Sequence, residues 1–401
     1  MIERIKLKNF RSIQGLDLEL KSLNVLIGRN GSGKSNFLSF FHLLGEGARG
    51  RLNRTIVNEL RGFEFLRFLN ADTWENISWD VTFSSDPVSS RYEPLFYEGE
   101  LSPRGVAGYN IQSEIISRPP YPDKHHLGPY KYLEVRDGTV TKLKARPNED
   151  SESREDEVAK FEGLDQELAV AEIRNPTRYP SIDEVYRRLR EWTVFRGFGE
   201  RELSQVRGPQ TLNVVNPLQL DPDGSNLVSI LYELTNQPQY EEIYNRLNEI
   251  IQAVFEDFSK FDLPLVAGAQ ASLSFRSRNF KKSIPALFMS DGQLRFLGLI
   301  VLLLLPSPPK LLLIDEPEIG MHPKMITIFA EVLKSAAQRT QIIVSTHSPQ
   351  LIDALSPDDL LVVDRENGAT VINRPDQERL ARWLERYSTG YLWTNTTLLE
   401  R

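Results

Sequence analysis

The chain contains no cysteine and only five histidines among its 401 residues. The absence of cysteine excludes disulfides, thiolate metal sites and a cysteine nucleophile. A long apolar run is also absent. The most apolar stretch, "FLGLIVLLLL" (296–305), is about half of the roughly 20 residues that a membrane-spanning helix needs, so it predicts a buried core helix. The N-terminal "MIERIKLKNF" lacks the apolar core of a signal peptide. These absences predict a cytoplasmic protein without a membrane segment.

An excess of positive charge is absent as well, because the formal net charge is -7. This argues against a general polyanion binder, although a local basic surface would suffice to bind nucleic acid. Hydrophobic residues make up 40% and charged residues 26% of the chain, as in ordinary globular proteins. The length fits one large domain or two modest ones.

Hydrophobic patterns in the first half of the chain predict strands more than helices. "IERIKLKNF" and "GLDLEL" alternate as half-buried strands, whereas "LNVLIG" is a continuous apolar run that suits a central strand. "NFLSFFHLLGEG" has the spacing of a helix. Residues 72–146 read as antiparallel strands, with a hairpin turn at Asp137 and Gly138. The stretch 146–157 is a polar loop or a disordered turn.

The second half mixes helices with buried strands. Residues 158–261 are predicted to be mostly helical, including the amphipathic "YEEIYNRLNEIIQAVFEDF". Ser181 is a plausible N-cap, and Glu184 three residues later completes a capping-box pattern. "ASLSFRSRNF", "KLLLIDEP" and "QIIVSTHSP" are predicted strands, and "KMITIFAEVLKSAAQ" is a predicted helix. "DLLVVDRENGATVI" predicts two strands that turn at Asn367 and Gly368.

A phosphate-binding loop is predicted at "GRNGSGKSN" (28–36), between a strand and a helix. Gly28, Gly33, Lys34 and Ser35 fit the pattern G-x-x-x-x-G-K-S/T. The glycines let the backbone wrap around phosphates with its N–H groups inward, and the helix points its positive end at the anion. We expect Lys34 to contact the β- and γ-phosphates and the Ser35 hydroxyl to ligate Mg²⁺. The predicted nucleotide contacts in the loop are Gly28, Arg29, Asn30, Gly31, Ser32, Gly33, Lys34, Ser35 and Asn36.

A second element, "LLLIDEPE", places two carboxylates after a buried strand. Asp315 would lie at the edge of the sheet and hold Mg²⁺ through water, so Ser35 and Asp315 are the predicted metal ligands. Glu316 is then the natural general base for an attacking water. This pair of roles predicts ATP hydrolysis and argues against a small-molecule kinase.

Two further motifs, "SDGQ" (290–293) and "STHSP" (345–349), complete a resemblance to the ABC-type ATPases. The chain is most similar to the soluble heads of SMC and RecF proteins and of the overcoming-lysogenisation-defect nucleases. Within these it resembles the AAA-labelled, SMC-like "predicted ATPase" group. The residues that carry the resemblance are "KNFRSIQGLDLEL", "LNVLIGRNGSGKSNFL", "SDGQLRFLGL", "IDEPEIGMHP", "STHSPQLIDAL" and "WLERYSTGYLW".

The resemblance implies roles for several residues. Ser290 and Gly292, within the signature Ser290, Asp291, Gly292 and Gln293, would contact the γ-phosphate bound to a second subunit. "SDGQ" taken alone would also suit a helix N-cap, and Asp291, where transporters have glycine, would need to point away from the phosphate. His347 resembles the switch histidine that senses the γ-phosphate, and it joins Glu316 and Lys34 as a predicted catalytic residue.

Weaker assignments follow from the same resemblance. Arg11 resembles a residue near the nucleotide phosphates, or it is a solvated arginine at the end of a strand. Asn30 would help to place contacts with the partner subunit, and His322 lies where the family has a loop facing that subunit. Gln112 and Gln166 are both candidates for the glutamine that couples Mg²⁺ to the helical lobe, and the sequence does not choose between them.

The implied fold is α/β, a P-loop NTPase of the ABC head type with an antiparallel β subdomain and a helical insertion lobe. We predict one domain over residues 1–401. Its core comprises 1–50 and 285–372, the β region 72–146, the helical lobe 158–261 and a helical tail 373–401. The cofactors are ATP and Mg²⁺.

The implied function is an ATPase that forms a homodimer, or a higher oligomer, around ATP. No nuclease domain follows "STHSP", so we expect a separately encoded effector, such as a nuclease, in a DNA-linked or phage-defence process. One alternative is an ATP-driven scaffold that holds or inhibits a toxin-like partner; another is the ATPase subunit of a transporter. DNA remains an open partner, because "YRRLREWTVFR" and "FRSRNFKK" are either DNA contacts or solvated faces.

Overall fold

The structure is a computed structural model that describes residues 1–72, 74–85, 94–105, 108–119, 129–144, 165–195, 199–213, 218–266 and 268–395. Its strands are β1 (Ile2–Phe10), β2 (Ile13–Glu19), β3 (Leu23–Ile27), β4 (Ile77–Phe83), β5 (Leu95–Arg104), β6 (Gly108–Arg118), β7 (Tyr130–Arg136), β8 (Thr139–Leu143), β9 (Trp192–Phe195), β10 (Gln210–Thr211), β11 (Phe258–Asp262), β12 (Leu265–Val266), β13 (Gln270–Ala271), β14 (Ser274–Ser277), β15 (Ile284–Pro285), β16 (Leu311–Asp315), β17 (Gln341–Thr346), β18 (Leu360–Glu366) and β19 (Ala369–Asn373).

The α-helices are α1 (Lys34–Ala48), α2 (Leu52–Arg54), α3 (Ala169–Glu172), α4 (Pro180–Arg190), α5 (Glu200–Arg207), α6 (Leu227–Asn236), α7 (Glu241–Val254), α8 (Asp291–Leu304), α9 (Pro323–Ala336), α10 (Pro349–Ala354), α11 (Gln377–Leu384) and α12 (Thr389–Thr394). A π-helical turn spans Thr55–Glu59, and short 3₁₀ segments occur at Phe63–Leu66, Pro238–Tyr240, Ala286–Phe288 and Pro357–Asp359. The predicted polar loop at 146–157 lies outside the described residues.

The chain forms two compact units. The first comprises Met1–Lys21, Gly28–Trp192 and Leu361–Arg374. The second comprises Ser22–Ile27, Thr193–Leu360 and Pro375–Arg401. The single domain expected from the sequence stays a prediction.

A seven-stranded sheet dominates the first unit, in the order β2-β1-β4-β5-β6-β7-β8. Every neighbouring pair is antiparallel, which confirms the strands predicted between residues 72 and 146 and adds β1 and β2 to them. Asp137 and Gly138 turn the last hairpin with φ of 49° and 70°. Two consecutive positive φ values match the right-handed twist of the flanking strands, as the sequence predicted.

Helix α1 packs its aromatic face against this sheet. The rings of Phe10 and Phe40 lie 5.6 Å apart, and those of Phe40 and Trp79 lie 6.3 Å apart. A Cβ at Gly99, on the neighbouring strand β5, would overlap the Trp79 indole, so glycine is what leaves room for that ring. This aromatic contact anchors the helix that follows the phosphate loop.

An acidic side chain, Glu114, is fully buried in the first unit. Its carboxylate accepts hydrogen bonds from the backbone N–H groups of Ala169 (2.6 Å) and Val170 (3.1 Å) at the start of α3. The Tyr97 hydroxyl donates a third bond at 3.1 Å. Burial raises the pKa of the Glu114 carboxyl to about 7, although the three hydrogen bonds oppose the shift.

Because a raised carboxyl pKa favours the protonated folded form, stability should fall as pH rises from about 4.5 through about 7, by about 3 kcal/mol. Glu114→Gln, which resembles the protonated acid, should remove most of this fall when the free energy of unfolding is measured by urea denaturation at pH 5, 6, 7 and 8.

Glu134→Gln in β7 is the control. Burial raises the pKa of the Glu134 carboxyl, but hydrogen bonds from Lys131 and Arg136 outweigh burial and lower it. Equal slopes for wild type and Glu114→Gln would contradict the assignment.

The second unit contains a parallel sheet core of β3, β17 and β16. Ile27 of β3 pairs with Thr346, and Asp315 of β16 pairs with Ser345. The carboxyl ends of all three strands therefore lie at one edge. Helix α8 is buried along most of its length, which confirms the core helix predicted at 296–305. Among the described helices, none has the length and apolar character needed to cross a membrane.

Two predictions about helix ends are wrong. Helix α4 begins at Pro180, and Ser181 lies inside it, buried and without a capping role. Proline suits the first helical position because its fixed φ is already helical and no N–H is lost there. Helix α7 ends at Val254, and Phe258 instead begins strand β11. The Phe258 ring packs 4.8 Å from Phe261, and β11 pairs with the distant strand β14.

Candidate nucleotide site

The phosphate loop begins directly after β3 and ends at the first residue of α1. Gly31 and Gly33 adopt φ of 76° and 114°, which side-chain-bearing residues rarely do. Gly33 is the N-cap residue of α1, and the first turn of that helix contains no acidic residue. The positive end of the helix dipole favours an anion here.

Lys34 is almost fully buried, with 5% of its surface exposed. Its ammonium donates to the carbonyl oxygens of Gly28 (2.9 Å) and Arg29 (3.4 Å), so the side chain curls back over the loop. Ser35, the next residue, is exposed. Phosphate contact by Lys34 and metal ligation by Ser35 stay predictions.

Arg11 lies beside the loop with a positive φ of 50°. Its guanidinium donates to the Asn36 side-chain oxygen at 3.3 Å, and its Nε atom is buried with no hydrogen-bond partner in the described residues. Desolvation lowers the pKa of the Arg11 guanidinium. A partly desolvated guanidinium favours an incoming anion. The position of Arg11 near the nucleotide phosphates stays a prediction.

In the second unit, the carboxyl edge of the parallel sheet presents Asp315 and Glu316. The Ser345 hydroxyl donates to Asp315 Oδ1, joining neighbouring strand ends. Glu316 has a φ of 47°, and its N–H donates to both the carbonyl and the hydroxyl oxygen of Ser345, each at 3.1 Å. His347 Nε2 lies 3.3 Å from Glu316 Oε1. The predicted base and switch histidine are thus in direct contact.

Glu318, which has no role among the predictions above, fixes the segment that contains His347. Its Oε1 atom accepts hydrogen bonds from the Thr346 hydroxyl (2.6 Å) and from the N–H groups of His347 (2.8 Å) and Ser348 (3.1 Å). Three donors on one carboxylate oxygen hold residues 346–348 in a single arrangement. The sequence signal was the third acid of "DEPE", two residues after the predicted base.

Glu318→Ala should lower kcat for ATP hydrolysis by about 100-fold, because a displacement of about 1 Å at a catalytic group costs that much. The affinity for a fluorescent ATP analogue should change less than about threefold, since Glu318 holds a catalytic segment and not the phosphate loop. Glu318→Gln, which keeps an acceptor oxygen, should retain more activity. A loss confined to nucleotide affinity would refute this role for Glu318.

The signature residues begin helix α8 with a complete capping box. The Ser290 hydroxyl accepts from the Gln293 N–H at 3.2 Å, and the Ser290 N–H donates to the Gln293 side-chain oxygen at 2.8 Å. The N-cap role considered for "SDGQ" is therefore confirmed. Asp291 forms an ion pair with Arg207 at 2.5 Å. Arg207 thus pairs with the acid that stands where transporters have glycine.

Gly292 has a structural requirement within its own unit. A Cβ at Gly292 would overlap the carbonyl oxygen of Gly320, which itself has a φ of 77°. The loop after Glu318 thus packs directly on the first turn of α8. Substitutions at Gly292 would disturb this packing, so Ser290 is the better position for testing contact with a second subunit.

The remaining candidates form contacts of their own. His322 is exposed and caps α9 by accepting a hydrogen bond from the Lys324 N–H at 3.3 Å. Gln112 lies in strand β6, and the Gln166 carbonyl accepts a hydrogen bond from Tyr109. The choice between Gln112 and Gln166 stays undecided.

The two side chains predicted to bind magnesium have suitable chemistry. Ser35 of the first unit offers a hydroxyl oxygen and Asp315 of the second unit offers carboxylate oxygens, the atoms that this ion prefers. The rest of its shell usually comes from phosphates and waters. Throughout the ranges that the structure describes, no group of three or more His, Asp or Glu side chains is placed to hold a metal. A magnesium ion that arrives with a nucleotide does not need such a group.

A central parallel strand that leads into a glycine-rich loop, in a sheet with a strand followed by Asp-Glu, is typical of the P-loop ATPases. The fold is that of an SMC-type ATPase head. A solved SMC head bound to the C-winged helix domain of ScpA is 14% identical, with a TM-score of 0.55, and the match covers 94% of this chain and 99% of that one.

The chain belongs to the family described as "AAA domain, putative AbiEii toxin, Type IV TA system", which it matches over residues 23–353. It is 21% identical to an ATP/GTP phosphatase of Helicobacter pylori over 88% of this chain and 87% of the relative. It is 23% identical to the OLD nuclease of Thermus scotoductus over 97% of this chain and 68% of the relative. A RecF protein of Vibrio campbellii is 38% identical over 18% of this chain and 22% of that protein. The chain is thus similar to SMC heads in fold and to RecF and OLD proteins in sequence.

Proposed function

We propose that the chain hydrolyses ATP in a site that two copies of it complete. The observation behind this proposal is the shared strand edge in the second unit, where Ile27 pairs with Thr346 and Asp315 pairs with Ser345. The phosphate loop starts at the residue after Ile27. Glu316 and His347 follow the other two strand ends. The segments proposed for phosphate binding, water activation and γ-phosphate sensing thus all follow strands that end at one edge of the parallel sheet.

In the proposed reaction a water molecule attacks the γ-phosphorus while the bond from that phosphorus to the β–γ bridging oxygen breaks. The Glu316 carboxylate accepts the proton of the water, and ADP and inorganic phosphate leave. Lys34 stabilises the charge on the phosphate oxygens, and His347 bonds the γ-phosphate. Bound through Ser35 and Asp315, Mg²⁺ would supply further neutralisation of the phosphate charge.

The second copy enters through the signature residues at the start of α8. By resemblance to ABC-type heads, the Ser290 hydroxyl and Gly292 N–H of one copy would meet the γ-phosphate held by the other. ATP would then join two copies, and hydrolysis would separate them. The γ-phosphate is the contact that differs between the two states, as a switch requires.

This ATPase cycle would serve a DNA-linked or phage-defence process, together with a separately encoded effector. The family relation to OLD and RecF proteins supports it. One of the two basic stretches offers less to DNA than its sequence indicated, because Arg187 and Arg188 pair with Asp183 (2.7 Å) and Glu184 (2.5 Å) on the same helix. "FRSRNFKK" contains exposed cations and is the better candidate for a phosphate contact.

The proposal is tested with the purified chain in two nucleotide conditions. Light scattering should give a monomer mass with Mg–ADP and a dimer mass with Mg–ATP, and phosphate release should be slow. Duplex DNA should raise the rate of phosphate release in a salt-sensitive manner, and Arg278→Glu should reduce this effect. A monomer under all conditions would refute the composite site, and absence of phosphate release would refute the ATPase.

A second candidate is an ATP-driven scaffold that holds or inhibits a toxin-like partner. The description of the matched family, which names a putative toxin of a type IV toxin–antitoxin system, favours this alternative. It predicts that a protein encoded beside this one co-purifies in a nucleotide-dependent manner and that DNA leaves hydrolysis unchanged. Stimulation by DNA without such a partner would exclude the scaffold.

A further inference from the structure

The hairpin of β18 and β19 contacts the phosphate loop at both of its ends, within the first unit. A Cβ at Gly28 would overlap the Val363 carbonyl oxygen of β18, and a Cβ at Gly33 would overlap the Thr370 hydroxyl of β19. The two glycines that define the loop motif are therefore required by this hairpin even without a nucleotide. The hairpin therefore limits the conformations that the loop can adopt.

A chain of hydrogen bonds runs from helix α1 to the loop through that hairpin. The Asn36 side-chain amide donates to the Ser12 hydroxyl at 2.7 Å, and the Ser12 and Thr370 hydroxyls lie 2.8 Å apart. The Thr370 hydroxyl lies 2.7 Å from the Ser32 carbonyl oxygen. A carbonyl can only accept, so Thr370 donates to Ser32, and Ser12 must donate to Thr370.

The donor and acceptor at both ends of this hydrogen-bond series are fixed, and its central residue, Thr370, is buried. Thr370 has 1% of its surface exposed, and its backbone N–H also donates to the Ser12 carbonyl at 2.6 Å. Removing one hydroxyl from such a network leaves buried partners unsatisfied. The Ser32 carbonyl would be affected most, because the Thr370 hydroxyl is the donor that fixes its direction.

We propose that Thr370 is a positioning residue for nucleotide binding, an inference that rests on the proposed ATP site. Peptide units are planar and trans, so the carbonyl of Ser32 and the N–H of Gly33 point in opposite directions. When Thr370 holds the carbonyl, the Gly33 N–H faces away from the hairpin. That N–H is then one of the loop donors available to a phosphate.

Thr370→Val tests this role, because it removes the hydroxyl and keeps the branched shape that suits a strand. The dissociation constant of a fluorescent ATP analogue should rise about tenfold, or about 1.4 kcal/mol. The KM for ATP should rise similarly, while kcat changes less than about twofold. Thr370→Ser should restore affinity. The control is Thr340→Val, which removes another buried threonine hydroxyl, bonded to the Pro309 carbonyl, and should leave affinity unchanged.

Hydrogen–deuterium exchange of residues 28–33 without nucleotide provides a readout independent of ATP. Exchange in this segment should rise in Thr370→Val, and in Ser12→Ala if the valine variant fails to fold. The role of Thr370 would be overturned if exchange of residues 28–33 were the same in Thr370→Val as in wild type. It would also be overturned if Thr340→Val lost as much ATP affinity as Thr370→Val. If wild type binds no ATP, the proposed site fails, and loop exchange still decides whether Thr370 positions the loop.

Discussion

Glu316→Gln is expected to bind ATP, remain a dimer with it and hydrolyse it about 100-fold to 10,000-fold more slowly than wild type, the usual effect of removing a general base. Glutamine keeps the size of the side chain and an oxygen near His347 but cannot accept the proton of the attacking water. The backbone bonds from Glu316 to Ser345, both at 3.1 Å, do not involve the carboxylate and should survive. The dimer should therefore accumulate because its release step is blocked.

The measurement combines single-turnover hydrolysis with the mass in Mg–ATP. Glu331→Gln is the matched control, since Glu331 is exposed on α9 of the same unit and should leave both quantities unchanged. A Glu316→Gln protein that hydrolyses ATP at the rate of wild type would remove Glu316 from the mechanism. One that is inactive but monomeric would preserve the base and refute the ATP-gated dimer.

Lys34→Met should weaken ATP binding by about 100-fold, because a hydrogen-bonded buried charge facing a phosphate contributes about 1.5–3 kcal/mol. The variant should fold, since methionine fills the apolar part of the space and the two loop carbonyls that Lys34 bonds can turn to water. Titration with the fluorescent analogue checks this result. Lys334→Met, which removes an exposed lysine from α9, is the control. Unchanged affinity in Lys34→Met would contradict the phosphate loop itself.

Mixing Lys34→Met with Ser290→Arg tests whether the site is shared. In a two-fold dimer, a mixed pair places both defects in one site and leaves the other site intact. The mixture should therefore regain about a quarter of wild-type activity, because about half of the pairs are mixed and each has one working site. If each copy instead contains a whole site, the mixture should show no gain over the two variants measured apart.

The local part of the fold was predictable because neighbouring residues decide it. Asn367 and Gly368 turn a hairpin with φ of 50° and 83°, as their sequence predicts. The capping-box pattern shows the limit of such rules. Ser290 with Gln293 forms the box, whereas Ser181 with Glu184 does not, because Pro180 takes the first helical position. Helix α7 ends early because Phe258 pairs in a sheet with residues far along the chain.

The sequence by itself determined the local patterns behind the proposed chemistry: a glycine-rich loop between a strand and a helix, a strand that ends at Asp315 and is followed by Glu316, a histidine after a strand and a signature at the start of a helix. Their residue types and spacing already predict the reaction. Only the tertiary structure decided which residues hold that chemistry in place. Glu318 bonds the His347 segment, and Thr370 bonds a loop more than three hundred residues earlier in the chain. Their roles depend on directions of single carbonyl and N–H groups, which packing of distant segments fixes and no local pattern encodes.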